Sequence, residues 1–183
     1  MQQRGYTAVG VAELCGEAGV NKGSFYHVFP SKRELALEVI DSFWSESAAL
    51  LDRAVTEEGS PLERLRRFFE EVHAHHQELR NQCGRVVGCP LGNLAQEMST
   101  QDPVLRERLG EVFDLYVDRL ERVVAEAVGR GDLPRQDTHR AARSLTALLE
   151  GAVLLAKTRD DPAMLAGLGD DALRMLGSPV SAP

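Results

Sequence analysis

The chain has 183 residues, a formal net charge of −7, and 43% apolar against 27% charged residues. That balance suits one compact unit or two small packed ones with a buried core. No apolar run approaches the roughly 18–20 residues that a membrane span needs. No charged-then-apolar leader opens the chain, so a cytoplasmic protein is expected. Three cysteines cannot all pair, which favours reduced thiols. The acidity is unevenly spread. Residues 1–33 hold four basic and two acidic residues, net +2, and the remainder is net −9. A slightly basic head on an acidic body suits a protein that presents one end to a polyanion.

Strand signals are nearly absent, and the periodic segments predict an all-α chain. Gly10–Ala18 and Asn21–Val28 are two short helices. Ser31-Lys32-Arg33-Glu34 has capping-box spacing and opens a long helix with Leu35, Val39, Ile40, Phe43, Trp44 and Leu51 on its apolar stripe. Ser60 and Pro61 supply the cap and first residue of the next helix, whose face is Leu62, Leu65, Phe69, Val72, His76 and Leu79. A glycine-containing loop at 83–90 and a short helix at Pro90–Met98 follow. Asp102-Pro103 then starts the longest helix, which Gly129–Pro134 ends. Two helices remain, Asp137–Lys157 and Asp161–Leu176. The chain divides into a head at 1–45, a helical bundle at 46–178 and a tail at 179–183.

The head carries the most specific pattern. Gly19 can take the positive φ of a tight turn. Val20 is expected to plug the angle between the two short helices, and Asn21 is a good N-cap for the second. Pro30 stops that helix. Two short helices on a glycine turn form the helix-turn-helix plan, whose second helix enters the major groove of DNA. Asn21, Lys22, Ser24 and His27 can hydrogen-bond bases or phosphates. Gly23 admits a close backbone approach, and Tyr26 offers a phenol to a phosphate. Phe25 and Phe29 read as core anchors. Lys32, at a helix N-terminus, also suits a phosphate.

The run from Gly5-Tyr6-Thr7 through Val11-Ala12-Glu13-Leu14 to Ala18-Gly19-Val20-Asn21-Lys22-Gly23-Ser24-Phe25-Tyr26-His27-Val28-Phe29-Pro30-Ser31-Lys32-Arg33-Glu34-Leu35 resembles the DNA-binding domain of the TetR/AcrR family of repressors. The shared features are an Ala-Gly-Val turn, a Gly-x-x-Tyr recognition helix and a Phe-x-Ser-Lys entry to the next helix. The bundle resembles the family's ligand-binding and dimerisation domain in length and helix order. The resemblance implies a homodimer on a pseudo-palindromic DNA operator, released by a small-molecule effector. By position it makes Thr7, Lys22, Gly23, Tyr26 and Lys32 DNA contacts, with Asn21, Ser24 and His27 setting sequence preference. The family also places a full helix before Gly5-Tyr6, where only Met1–Arg4 stand, so the first helix is expected to be missing or truncated. That leaves a ligand-binding or thiol-redox bundle with impaired DNA binding as the alternative.

In the bundle, Trp44, Phe69, Phe113 and Tyr116 read either as core or as the aromatic wall of an effector pocket. His73 and His76 share a helix face and suit polar pocket residues; no metal is expected, because no ligand set of matching spacing accompanies them. Cys89 directly precedes Pro90. As a helix N-cap its thiol would be acidified and open to oxidants or electrophiles, with Cys83 nearby in sequence. The other reading of Cys89 is a small buried apolar residue. The helix Asp137–Lys157 mixes Ala141, Ala142, Ala147, Gly151 and Ala152 with Leu145, Leu148, Leu149 and Leu155, so the last two long helices suit either a homodimer interface or core packing. No nucleophile motif, phosphate-cradling loop or zinc signature is present, so no enzymatic activity and no cofactor are expected.

Overall fold

The structure is a computed structural model that describes residues 4–56 and 58–178. Among these residues there are eight α-helices, one 3-10 turn and no strand. They are α1 (Val11–Glu17), α2 (Lys22–Val28), α3 (Lys32–Thr56), α4 (Pro61–Cys83), α5 (Pro90–Met98), α6 (Pro103–Arg130), α7 (Thr138–Arg159), the 3-10 turn Pro162–Leu165, and α8 (Leu168–Met175). The expected tail at 179–183 lies outside the described residues. Met1–Gln3, in the stretch where the first helix is expected to be missing or truncated, lie outside them too.

Local chemistry sets the helix ends. Ser60 and Glu63 form a complete capping box with Pro61 at the start of α4. Asp102 Oδ1 accepts from the Val104 and Leu105 amides at the start of α6. Asp137 Oδ1 accepts from the Arg140 amide at the start of α7. No helix among the described residues is long and apolar enough to cross a membrane.

The chain forms two compact units. One combines residues 1–45 with 90–111; the other combines 46–89 with 112–183. Val9, Cys15, Phe25, Ala36, Ile40, Leu105 and Leu109 are buried in the first unit. The larger core of the second is built on Leu65, Phe68, Phe69, Leu120, Leu145 and Leu173. There α4 packs on α8 and on the 3-10 turn, and α7 packs on both as well.

One expected helix is broken. The segment Asp161–Leu176 folds as the 3-10 turn and then α8, because Gly167 sits at φ 74° between them. An L-residue resists that conformation, whereas glycine adopts it freely. Gly169 then brings α8 against the backbone of α4: a Cβ there would stand 3.1 Å from the Arg66 carbonyl oxygen.

Candidate nucleic-acid interface and effector site

In the first unit α1 and α2 pack against each other, joined by Gly19 at φ 66°. The Val20 amide donates to the Cys15 carbonyl at 3.0 Å. This backbone closure turns Val20 outward, so it is 45% exposed and does not plug the inter-helix angle as expected. The buried side chains of the pair are Cys15 and Phe25. Phe25 lies edge-on to Tyr26 at 5.2 Å and tilted to Phe29 at 5.6 Å, which makes it the anchor of α2.

The outward face of α2 collects the expected contact residues. Asn21, Lys22, Gly23, Ser24, Tyr26 and His27 are all exposed, with Tyr26 at 52%. Asn21 Oδ1 caps the helix by accepting the Ser24 amide at 2.8 Å. A Cβ on Gly23 would lie 3.1 Å from that oxygen, so Gly23 protects the cap as well as leaving the backbone open.

Thr7 and Lys32 are already engaged within this unit. The Glu97 carboxylate on α5 accepts the Tyr6 amide at 2.6 Å, the Thr7 amide at 2.7 Å and the Thr7 hydroxyl. Lys32 donates to the Tyr6 carbonyl and stands 4.1 Å over the Tyr6 ring. Burial works to raise the Glu97 pKa. The Thr7 and Tyr6 donors, with the charge of Lys32, outweigh it and hold the carboxyl below its ordinary value. Sequence reasoning missed Glu97, because nothing local marks a residue whose partners lie ninety positions away.

In the second unit the expected effector residues separate. Phe69 is fully buried, edge-on to Phe68 at 5.2 Å, and is core. His73 and Phe113 are half-buried. His76 is buried; its Nδ1 lies 2.9 Å from the Val72 carbonyl, and its Nε2 has no partner. Burial, partly offset by the Val72 carbonyl and reinforced by His75 and His73, pushes its pKa down. Trp44, half-buried, falls in the first unit.

Cys89 and Tyr116 do come together, around a residue that the sequence reading passed over. The Cys89 thiol is hydrogen-bonded to the Glu150 carboxylate, and burial raises the Glu150 pKa against that bond. Tyr116 is hydrogen-bonded to Ser47 and feels the charges of Cys89 and Glu150; burial dominates and pushes its phenol well above the ordinary value. Ser47, Cys89, Tyr116 and Glu150 thus bring four chain segments to one polar cluster. None of the four is fully closed off. The signal for Glu150 was present, since it is the only charged residue between Arg143 and Lys157 in an otherwise apolar helix.

Elsewhere on α6 and α7, Asp118, Glu121 and His139 bring one ligand atom each to within 4.8 Å of one another. Glu121 already accepts from Thr138 at 2.9 Å and lies 2.9 Å from His139 Nδ1. Glu121 therefore clasps α6 to the start of α7.

Residues 1–39 match the family described as bacterial regulatory proteins, tetR family, and residues 61–168 match the tetracyclin repressor-like C-terminal domain. The chain belongs to the TetR family. It is an all-α, DNA-binding transcriptional regulator. The transcriptional regulator AcuR of Cereibacter sphaeroides is 36% identical over 169 residues, which span 88% of this chain and 74% of the relative. The transcriptional repressor DhaR of a Mycobacterium species is 30% identical over 161 residues, 85% of this chain and 75% of that one. A regulatory protein TetR from Rhodobacter sphaeroides superposes with a TM-score of 0.82 at 33% identity, covering 96% of this chain and 90% of that structure. The reduced form of Escherichia coli NemR shares the fold at a TM-score of 0.82 and 23% identity, over 98% and 93% of the two chains. The N-terminal match covers the whole helix-turn-helix, so a bundle that has lost its DNA-binding role is not favoured.

Proposed function

We propose that this TetR-family regulator acts as a homodimeric repressor that leaves its operator when a small molecule binds in the second unit. The observation that carries the reading is the exposed face of α2. There Asn21, Lys22, Gly23, Ser24, Tyr26 and His27 stand outward on a helix anchored by Phe25. Asn21, Ser24 and His27 meet base edges in the major groove, while Lys22 and Tyr26 meet phosphates. Gly23 lets the backbone approach. Lys32 contributes at the rim with donor capacity beyond its bond to Tyr6, whereas Thr7, whose amide and hydroxyl both donate to Glu97, reaches a phosphate only by exchanging the hydroxyl bond.

A second copy is supported by α7. Its inward residues Ala141, Ala142, Leu145 and Leu149 are core, whereas Ala147, Gly151, Leu154 and Leu155 form an exposed stripe with Leu155 53% exposed. Small residues beside large apolar ones let two helices approach closely and bury area. Met175 on α8 is 49% exposed and extends the apolar surface available to a partner. A twofold dimer presents two α2 helices to major grooves about 34–36 Å apart.

The effector site is assigned to the cluster Ser47, Cys89, Tyr116 and Glu150 of the second unit, with His73 and Phe113 as further candidates; Phe69, which is core, and Trp44, which belongs to the first unit, are not part of it. An effector shifts the operator equilibrium only if it binds the non-operator arrangement better. Fluorescence anisotropy of the full chain on DNA from upstream of its own gene tests the reading. The expected result is nanomolar-range binding that weakens steeply with salt. Binding no tighter than to scrambled DNA would refute it.

A further inference from the structure

The Glu97 carboxylate fills a cradle suited to an anion. Two successive amides converge on it, Tyr6 on Oε2 at 2.6 Å and Thr7 on Oε1 at 2.7 Å, and the Thr7 hydroxyl adds a third donor on Oε1. Consecutive amides aimed at one point form a backbone nest, a concavity that binds anions whatever their source. Gly5 makes the close approach possible. It sits at φ 89°, and a Cβ there would stand 3.1 Å from Oε2 and 3.3 Å from Oε1. The charge of Lys32 acts on the same carboxylate, and its ammonium stands 4.1 Å over the Tyr6 ring. The cradle lies at the surface, with Thr7 exposed and Gly5, Tyr6 and Glu97 half-buried. A phosphodiester carries two anionic oxygens on one centre, as a carboxylate does. Backbone amides, hydroxyls and lysines are the groups that hold DNA phosphates. Glu97 and a phosphate cannot occupy the cradle together, because like charges in one site repel.

We propose that the Gly5–Thr7 cradle is a binding site for a DNA backbone phosphate, and that Glu97 is an internal competitor that occupies it when operator is absent. The assignment rests on the operator-binding reading of the first unit and adds a brake to it. A phosphate entering the cradle replaces the bonds that Glu97 gives up, so the exchange leaves no donor unsatisfied. The competitor stands on α5, which begins at Pro90, where the chain passes from the second unit into the first. It is thus carried by the helix that directly follows Cys89 of the candidate effector cluster. With Glu97 fastened, the cradle is closed to DNA. With Glu97 withdrawn, the Tyr6 and Thr7 donors hold a phosphate and Lys32 adds its charge. An effector that favours the fastened arrangement lowers operator affinity through this competition.

The test uses the full chain and fluorescence anisotropy on operator and on unrelated DNA. Glu97→Gln removes the competing charge. It is expected to bind both DNAs more tightly, on the order of tenfold, the lower end for a hydrogen bond to a charged group. Its log affinity should fall more steeply with log salt, by about 1 for each subunit, as one more phosphate is engaged. Thr7→Val added to Glu97→Gln takes away the hydroxyl and should cancel most of the gain, whereas Thr7→Ser keeps the hydroxyl and should preserve it. A gain that survives Thr7→Val undiminished comes from net charge alone and overturns the proposal. So does a Glu97→Gln protein that melts as a folded chain and binds no more tightly than the parent. The parent gives a readout that needs no substitution. Its Tyr6 and Thr7 amide resonances should move when operator is added to saturation, and resonances that stay in place show Glu97 still seated and overturn the competition. A parent that binds operator no better than scrambled DNA refutes the regulator reading instead. Inorganic phosphate then judges the cradle alone: it should shift those two amides in Glu97→Gln and not in the parent, and amides unmoved in both remove the phosphate site.

Discussion

Glu97 receives both the backbone amide of Thr7, at 2.7 Å, and its hydroxyl. The same carboxylate takes the Tyr6 amide at 2.6 Å, so one side chain of α5 fastens the segment that leads into the helix-turn-helix. Charge-assisted bonds of this kind are individually worth about 1.5–3 kcal/mol when well shielded. Thr7 is exposed, and solvent screening reduces that to about 1 kcal/mol. A double-mutant cycle of Thr7→Val and Glu97→Ala, read by thermal melting, is expected to show a coupling of that size. The pH dependence has a definite sign. The folded pKa of Glu97 is depressed, so the stabilisation is complete above the ordinary carboxylate range. It is lost as pH falls through the lower folded value. The coupling should therefore persist at pH 6 and vanish in strong acid. A coupling independent of pH would contradict the assignment.

Lys22 stands exposed at the first turn of α2 and is assigned to a phosphate. Lys22→Ala should weaken binding to operator and to unrelated DNA alike, and reduce the slope of log affinity against log salt by about 1. Ser24 and His27 are assigned to base edges. Substituting either should cost about 1–3 kcal/mol on the operator and little on random sequence. Anisotropy titrations at several salt concentrations, on both DNAs, separate the two behaviours. A Lys22 variant that loses only operator binding would reverse the roles.

Most helices and the exposed face of α2 were legible because their causes are local. The Ser60 cap with Pro61, the Asn21 cap and the Pro30 stop each lie within four residues of what they control. The groups that matter across the fold were not. Glu97 meets Tyr6 and Thr7 through ninety residues of intervening chain. Glu150 meets Cys89 across sixty-one. Periodicity marks which face of a helix is buried but not what waits on the other side. That is why Phe69 read as either core or pocket wall, and why the stripe of α7 mixed its inward and outward residues. Val20 misled for a related reason: an apolar side chain in a turn looks like a plug until backbone bonds fix where it points.

Gly169 sits where α8 crosses α4, its position for a Cβ 3.1 Å from the Arg66 carbonyl oxygen and 3.2 Å from the Arg66 Cα. Both are backbone atoms, so a methyl group is accommodated only by parting the helices. Gly169→Ala should lose about 1–3 kcal/mol, the usual cost of overpacking. It should also strain the Arg66–Asp170 ion pair, now at 2.8 Å. Gly129→Ala on α6 serves as a comparison away from the crossing, because its φ is not positive and nothing stands within 4 Å of an added Cβ. Chemical denaturation of both variants measures the difference. An unchanged midpoint for Gly169→Ala would mean that α8 has more freedom than this packing allows.

The exposed stripe of α7 gives the sharpest test of assembly. Leu155 is 53% exposed and Leu154 42% exposed, beside exposed Gly151 and Ala147 one and two turns earlier. A twofold interface along this stripe brings each residue near its own copy, so a charge placed there is repelled by its symmetry mate as well as stripped of water. Leu155→Glu is therefore expected to shift sedimentation from dimer to monomer at micromolar concentration, with the melting of secondary structure showing that the monomer is folded. Operator affinity should fall with it, because a monomer contacts one half-site and loses the second recognition helix. Leu149→Glu is the contrasting change. Leu149 is buried in the subunit's own core, so that variant should unfold rather than dissociate. A Leu155→Glu protein that remains dimeric would move the interface off α7.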